Sequence, residues 1–62
     1  MEMPLIRVSS FPQSKETRKA LAEEITEVVH RHTQIPREYI WVIFDPVPQE
    51  NWAVAGRLVS EQ

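Results

Sequence analysis

Residues 40–44 read Ile-Trp-Val-Ile-Phe, five apolar side chains in succession, mostly β-branched or aromatic. Such a run is a strand with apolar cover on both faces, the habit of parallel sheets. This constrains the rest of the chain severely. Upstream there is one other strand candidate, Pro4-Leu-Ile-Arg-Val-Ser-Ser10, closed by Phe11-Pro12. Alternation puts Pro4, Ile6, Val8 and Ser10 on one face of it and Leu5, Arg7 and Ser9 on the other. A long helical pattern separates the two strands. Strand, helix and strand in that order form a β-α-β unit with parallel strands and a right-handed crossover. A single helix leaves one face of the 40–44 strand uncovered, so the missing cover has to come from other subunits.

The helix is expected from about Ser14 to Thr33. Ser14 is a suitable N-cap, and Glu16 places an acid in the first turn. Leu21, Ile25, Val28, Val29 and His32 recur at helical spacing, with Ala20 and Ala22 beside them. Lys15, Lys19, Glu23, Glu27 and Arg31 form a charged face, on which Glu27 and Arg31 are a favourable i,i+4 pair. No residue from 14 to 33 is Gly or Pro, and Pro36 ends the pattern. Pro36-Arg37-Glu38-Tyr39 suits one helical turn with proline at its first position. Asp45-Pro46-Val47-Pro48-Gln49 carries turn chemistry. The tail, Asn51 to Ser60, is expected to bend into a short hairpin or strand that reaches onto a neighbour.

Size points the same way. Sixty-two residues suffice for a single domain, residues 1–62, and a core that small rarely contributes more than about 3–5 kcal/mol unaided. With no cysteine there is no disulfide, thiolate metal site or thiol nucleophile. Yet 42% of the residues are hydrophobic and the net charge is only -2, which is not the composition of a disordered chain. The fold class expected is therefore α+β: one β-α-β unit with a C-terminal hairpin, assembled as a homo-oligomer. No apolar run approaches the roughly 20 residues of a membrane helix. Met1-Glu2-Met3-Pro4 lacks the basic and apolar regions of a signal peptide, so a cytoplasmic protein is expected.

Most chemical constellations are missing. One glycine cannot build a phosphate loop, and seven scattered basic residues against nine acidic ones speak against nucleic acid. His30 and His32 are two apart on a helix and diverge, so no metal site is expected there. Glu23, Glu24 and Glu27 fit a solvated helix face. What stands out is the proline that opens the first strand directly after a methionine, in Met3-Pro4-Leu5-Ile6-Arg7-Val8.

From Pro4 to about Ser60 the chain resembles the 4-oxalocrotonate tautomerase family. The likeness lies in the Pro-Leu-Ile-Arg-Val strand, the long helix from near Ser14, the Pro36 turn, Val42-Ile43 and the segment Glu50-Asn51-Trp52-Ala53-Val54-Ala55-Gly56. It implies a small tautomerase-like subunit, usually assembled as a homohexamer, and a cofactor-free proton shuttle. In this family the initiator methionine is removed, and the amino-terminal proline acts as general base on an enol or keto acid. Pro4 matches the base, and Trp52 matches the aromatic residue that lines the pocket.

Three departures from the family pattern matter. Phe11-Pro12-Gln13-Ser14 replaces the usual Gly-Arg after the first strand, and Trp41 replaces the arginine near the start of the second. Both familiar carboxylate-binding cations are gone, leaving Arg7, Arg37 and Arg57 as substitutes. A site lined by Trp41 and Trp52 is more apolar and less suited to a dicarboxylate. Third, residues 1–3 precede the proline. A start at Met3 gives Met-Pro, which methionine aminopeptidase trims readily, whereas a start at Met1 gives Met-Glu, which it cuts poorly. Bland readings stand beside these: Pro4 as a strand-edge proline, Trp41 and Trp52 as core or interface anchors. At the level of the whole protein the alternatives are a catalytically silent oligomer of the same fold and a ribbon-helix-helix DNA binder. The latter conflicts with the charge and with a strand at 40–44.

Overall fold

The computed structural model describes residues 3–61. Met1 and Glu2, two of the three residues before Pro4, lie outside them. Strand β1 (Leu5–Ser10) leads into helix α1 (Lys15–Thr33), and a 3-10 turn at Arg37–Tyr39 delivers the chain to strand β2 (Trp41–Pro46). A second 3-10 turn at Gln49–Asn51 precedes a hairpin of β3 (Ala53–Val54) and β4 (Arg57–Leu58). The expected β-α-β unit and terminal hairpin are both present. β1 and β2 are parallel, with Leu5 opposite Trp41, Arg7 opposite Ile43 and Ser10 opposite Pro46.

β2 runs two residues further than its apolar core, into the stretch expected to turn. The hydrogen-bond parity explains how Pro46 is accommodated. Trp41 N–H donates to the Pro4 carbonyl (3.0 Å) and Val47 N–H to that of Ser10 (2.8 Å). Odd-numbered residues of β2 thus face β1, and the missing N–H of Pro46 falls on the outer edge, where a ladder loses nothing.

The helix forms where its caps allow. Ser14 Oγ accepts the Thr17 N–H at 3.1 Å, supplying a partner for one of the orphan donors of the first turn. At the other end Gln34 adopts a left-handed conformation (φ 64°), and its N–H returns to the His30 carbonyl, a C-terminal closure. His30 Nδ1 donates to the Ile35 carbonyl at 2.7 Å, which draws the ring inward.

The packed face of α1 differs from the expected stripe. Leu21, Ala22, Ile25, Thr26, Val29 and His30 are half-buried, whereas Val28 (46% exposed) and His32 face outward. At about 100° per residue the packed face is turned roughly 70° from the centre of the apolar stripe. The His30 bond and the small Ala22 and Thr26 favour that rotation. It leaves part of the stripe exposed, as an open groove of about 300 Å³ lined by Ile6, Glu24, Ile25, Val28 and Val29.

Glu27 pairs with Arg37 rather than with Arg31. Arg37 Nε donates to Glu27 Oε1 and its Nη2 to Oε2 (3.0 Å). The Glu27 carboxyl is held below its ordinary value, first by that hydrogen bond. A forked guanidinium matches a carboxylate better than a one-turn neighbour on the same helix surface does.

Packing within the chain is thin. Ile40 (7% exposed) is the one buried hydrophobic among the described residues. The face of β1 and β2 away from the helix is open, with Leu5 51%, Trp41 55% and Ile43 40% exposed. The radius of gyration is 14.8 Å, against about 11 Å for a compact chain of this length. The surface of 4983 Å² exceeds by some 800 Å² the roughly 4,200 Å² expected of a compact monomer of this mass.

Candidate active site

The two ends of the β1–β2 sheet hold the residues of interest. At the N-terminal end Pro4 is half-buried, with its carbonyl tied to Trp41 N–H. That bond fixes the position of the proline ring at the mouth of the sheet. The ring nitrogen is joined to the Met3 carbonyl, and as a tertiary amide it has neither a proton nor a basic lone pair. Trp41 lies one strand across, on the open face beside Leu5.

Trp52 lies at the opposite end. Its Nε1–H donates to the Val47 carbonyl (2.9 Å), and its ring meets Phe11 edge-on, with centroids 5.2 Å apart and an interplanar angle of 70°. Val59 N–H donates to the Trp52 carbonyl at 2.8 Å. Three contacts thus hold Trp52 against the exit of β1. Phe11 and Val47 are the residues that sequence reasoning missed as its supports; the aromatic at the strand's close was the available signal.

Pro4 and Trp41 are therefore brought together, and Trp52 is not brought to them. From Pro4 to Phe11 the strand spans roughly 20 Å. Within one chain no substrate of ordinary size touches both. Of the three substitute arginines, Arg37 is bound to Glu27. Arg7 points to the open sheet face. Arg57 sits on β4, directly across from Val54. His30 is engaged with a backbone carbonyl and His32 is exposed. Among the described residues no three His, Asp or Glu side chains gather as a metal site requires, and no helix is long and apolar enough to cross a membrane.

Known proteins share this fold. A family model described as tautomerase enzyme matches residues 4–62. A probable tautomerase of Ralstonia nicotianae is 41% identical over 61 residues, covering 97% of this chain and 94% of its own. The chain belongs to the 4-oxalocrotonate tautomerase family. Among solved structures, TomN, a 4-oxalocrotonate tautomerase homologue of the tomaymycin biosynthetic pathway, superposes with a TM-score of 0.88. It is 39% identical, with 94% of this chain and 91% of that one covered. YwhB, another homologue of 4-oxalocrotonate tautomerase, gives a TM-score of 0.90 at 28% identity, covering 95% and 98%. The fold of this tautomerase is thus the one its relatives have, and its function is tautomerase-like, of the isomerase class. The match begins at Pro4, the residue that heads β1.

Proposed function

We propose that the chain is a cofactor-independent keto–enol tautomerase, with the Pro4 nitrogen as general base once Met3 has been removed. The observation that carries this reading is Pro4 itself: a half-buried proline pinned by its carbonyl at the head of β1, in a chain of tautomerase family. Cleavage between Met3 and Pro4 would convert the amide into a secondary amine. Apolar walls disfavour its charged form and lower its pKa toward neutrality, where a base works best. The nitrogen takes the O–H proton of an enol acid, the double-bond electrons shift to the adjacent carbon, and the prolinium returns the proton there. One proton moves, and nothing is oxidised or reduced.

The reading requires several copies, and the same thin packing supports that. The surplus surface is close to the roughly 800 Å² each partner buries in a standard interface. Among the described residues both edges of the two-stranded sheet are free, one sheet face is open, and the Val28 groove is apolar. A homohexamer of this cytoplasmic protein would bring the Trp52 end of one copy to the Pro4 end of another. Trp52 and Trp41 then line a shared, largely apolar pocket for an enol or keto acid.

The test compares the chain starting at Pro4 with the chain that retains residues 1–3, using enol phenylpyruvate. Turnover by the first and none by the second is expected. Equal rates would remove the proline nitrogen from the mechanism. A second reading has its own support in Phe11-Pro12-Gln13-Ser14 and Trp41, which stand where the family pattern has carboxylate-binding arginines: the protein is a silent oligomer of the same fold. It predicts no turnover from either chain, with the assembly intact by light scattering.

A further inference from the structure

A carboxylate entering the largely apolar pocket proposed for Trp52 and Trp41 needs a cation, because an unpaired charge is costly to place in an apolar cleft. Most of the chain's cations are otherwise engaged or stand elsewhere. Arg37 is held in a fork by Glu27. Arg31 lies in the groove of Glu23, Glu24 and Glu27, and Lys15 and Lys19 are exposed on α1. Arg7 shares the open sheet face with Asp45, the next diagonal position on β2. Arg18 lines a cleft with Phe11 and Asp45 at the exit of β1, which makes it the chief competitor.

Arg57 differs. Ala53 pairs with Leu58 and Val54 with Arg57; Trp52, just before the ladder, is itself extended (φ -105°, ψ 134°), and the Val59 N–H donates to its carbonyl. Cross-strand partners share a face and the faces alternate. Trp52, Val54 and Arg57 therefore lie on one side of the hairpin, with Ala53 and Leu58 on the other. Arg57 is diagonal to Trp52, roughly 7–8 Å away between backbones, within reach of a long side chain. Its direct partner is Val54, an apolar residue 56% exposed; among the described residues only Arg37 forms an ion pair, and what sets Arg57 apart from the other cations is its place beside Trp52 on the hairpin.

From this register we infer that Arg57 is the carboxylate-binding residue of the site, carried in on the same hairpin as Trp52. The inference rests on the reading that the Trp52 end of one copy completes the Pro4 site of another. It makes the hairpin a single specificity module, with an aromatic wall and a cation on one face. One such cation suits a substrate with a single carboxylate and an apolar body better than a dicarboxylate.

The experiment uses the chain that starts at Pro4, with Arg57→Ala, Arg57→Lys, Arg18→Ala and Arg7→Ala, on enol phenylpyruvate and on its methyl ester. Arg57→Ala should lower the acid-to-ester ratio of kcat/KM about 10- to 100-fold, chiefly through KM, and Arg57→Lys should recover part of it. An unchanged ratio overturns the inference, and so does an acid-selective loss in Arg18→Ala or Arg7→Ala instead. Calorimetry with 3-phenylpropionate separates this from the parent reading. If the free Pro4 chain turns over neither substrate, the proline mechanism fails alone. Arg57 then stands if its alanine variant weakens phenylpropionate binding about tenfold or more. It falls if the Kd is unchanged or if the parent chain binds none.

Discussion

The two ends of the β1–β2 sheet are held in different ways. At the Trp52 end the chain supplies everything itself: the indole N–H has the Val47 carbonyl, the ring has Phe11, and the backbone has Val59. At the Pro4 end it ties the Pro4 carbonyl to Trp41 N–H and leaves Trp41 and Leu5 more than half exposed. The first end is a preformed aromatic wall. The second is a positioned nitrogen beside apolar surface that awaits a cover. Under the proposed mechanism a site divided in this way would keep the base and the wall apart until copies assemble, and would make proton transfer depend on assembly.

The strongest way to break the comparison is at the base. Pro4→Ala in the chain beginning at residue 4 should cut turnover of enol phenylpyruvate about 10²- to 10⁴-fold while circular dichroism stays unchanged. Next come the two tryptophans, which should fail in opposite ways. Trp52→Ala removes a ring that the chain packs for itself, and should lower stability by about 2–4 kcal/mol in urea denaturation. Trp52→Phe should lose only about 1 kcal/mol, that of the N–H bond. Trp41→Ala should instead leave far-UV circular dichroism intact and shift sedimentation toward smaller species, since its ring touches little of its own chain.

A smaller effect sharpens the wall end. Ala55 (φ 54°) and Gly56 (φ 79°) both occupy the left-handed region, as the tight hairpin turn between β3 and β4 requires. Nothing lies within 4 Å of a Cβ built at Gly56, so conformation rather than space favours glycine there. Ala55→Asn should add about 0.5–1 kcal/mol by thermal unfolding, because asparagine tolerates this conformation better than alanine.

The smallest effect lies on the helix surface. With Glu27 held below its ordinary value of 4.5 by Arg37, the folded state binds its proton less well than the unfolded state does. The contribution is fully present above that value and fades as the pH falls through the lower, folded one. Glu27→Gln should flatten this acid limb slightly, with no change at the Pro4 site. Both groups are exposed, so added salt should shrink the difference.

Much of this was legible in the residues. The Ser14 cap, the uninterrupted helix to Thr33, the Pro36 turn and the parallel pairing followed from local rules, because propensity and capping act within one turn of the chain. The rotation of α1 was not legible. Apolar spacing marks a stripe, but which side of it packs was decided by the reach of His30 to the Ile35 carbonyl, a contact made only after the chain leaves the helix. The Glu27–Arg37 fork is of the same kind, since a ten-residue separation is invisible to an i,i+4 rule. Pro46 was read as turn because hydrogen-bond parity along β2 cannot be known before the register is.

By itself the sequence determined the order of elements, the family likeness and the residue types of the candidate site: a proline before a strand, two tryptophans and a few scattered arginines. Those are properties of neighbours along the chain. Only the tertiary structure decided that Pro4 and Trp52 stand at opposite ends of one sheet, that Arg37 is spoken for, and that Arg57 shares a face with Trp52. Distance and facing in space depend on register and helix rotation, which are set by contacts between residues far apart in the chain.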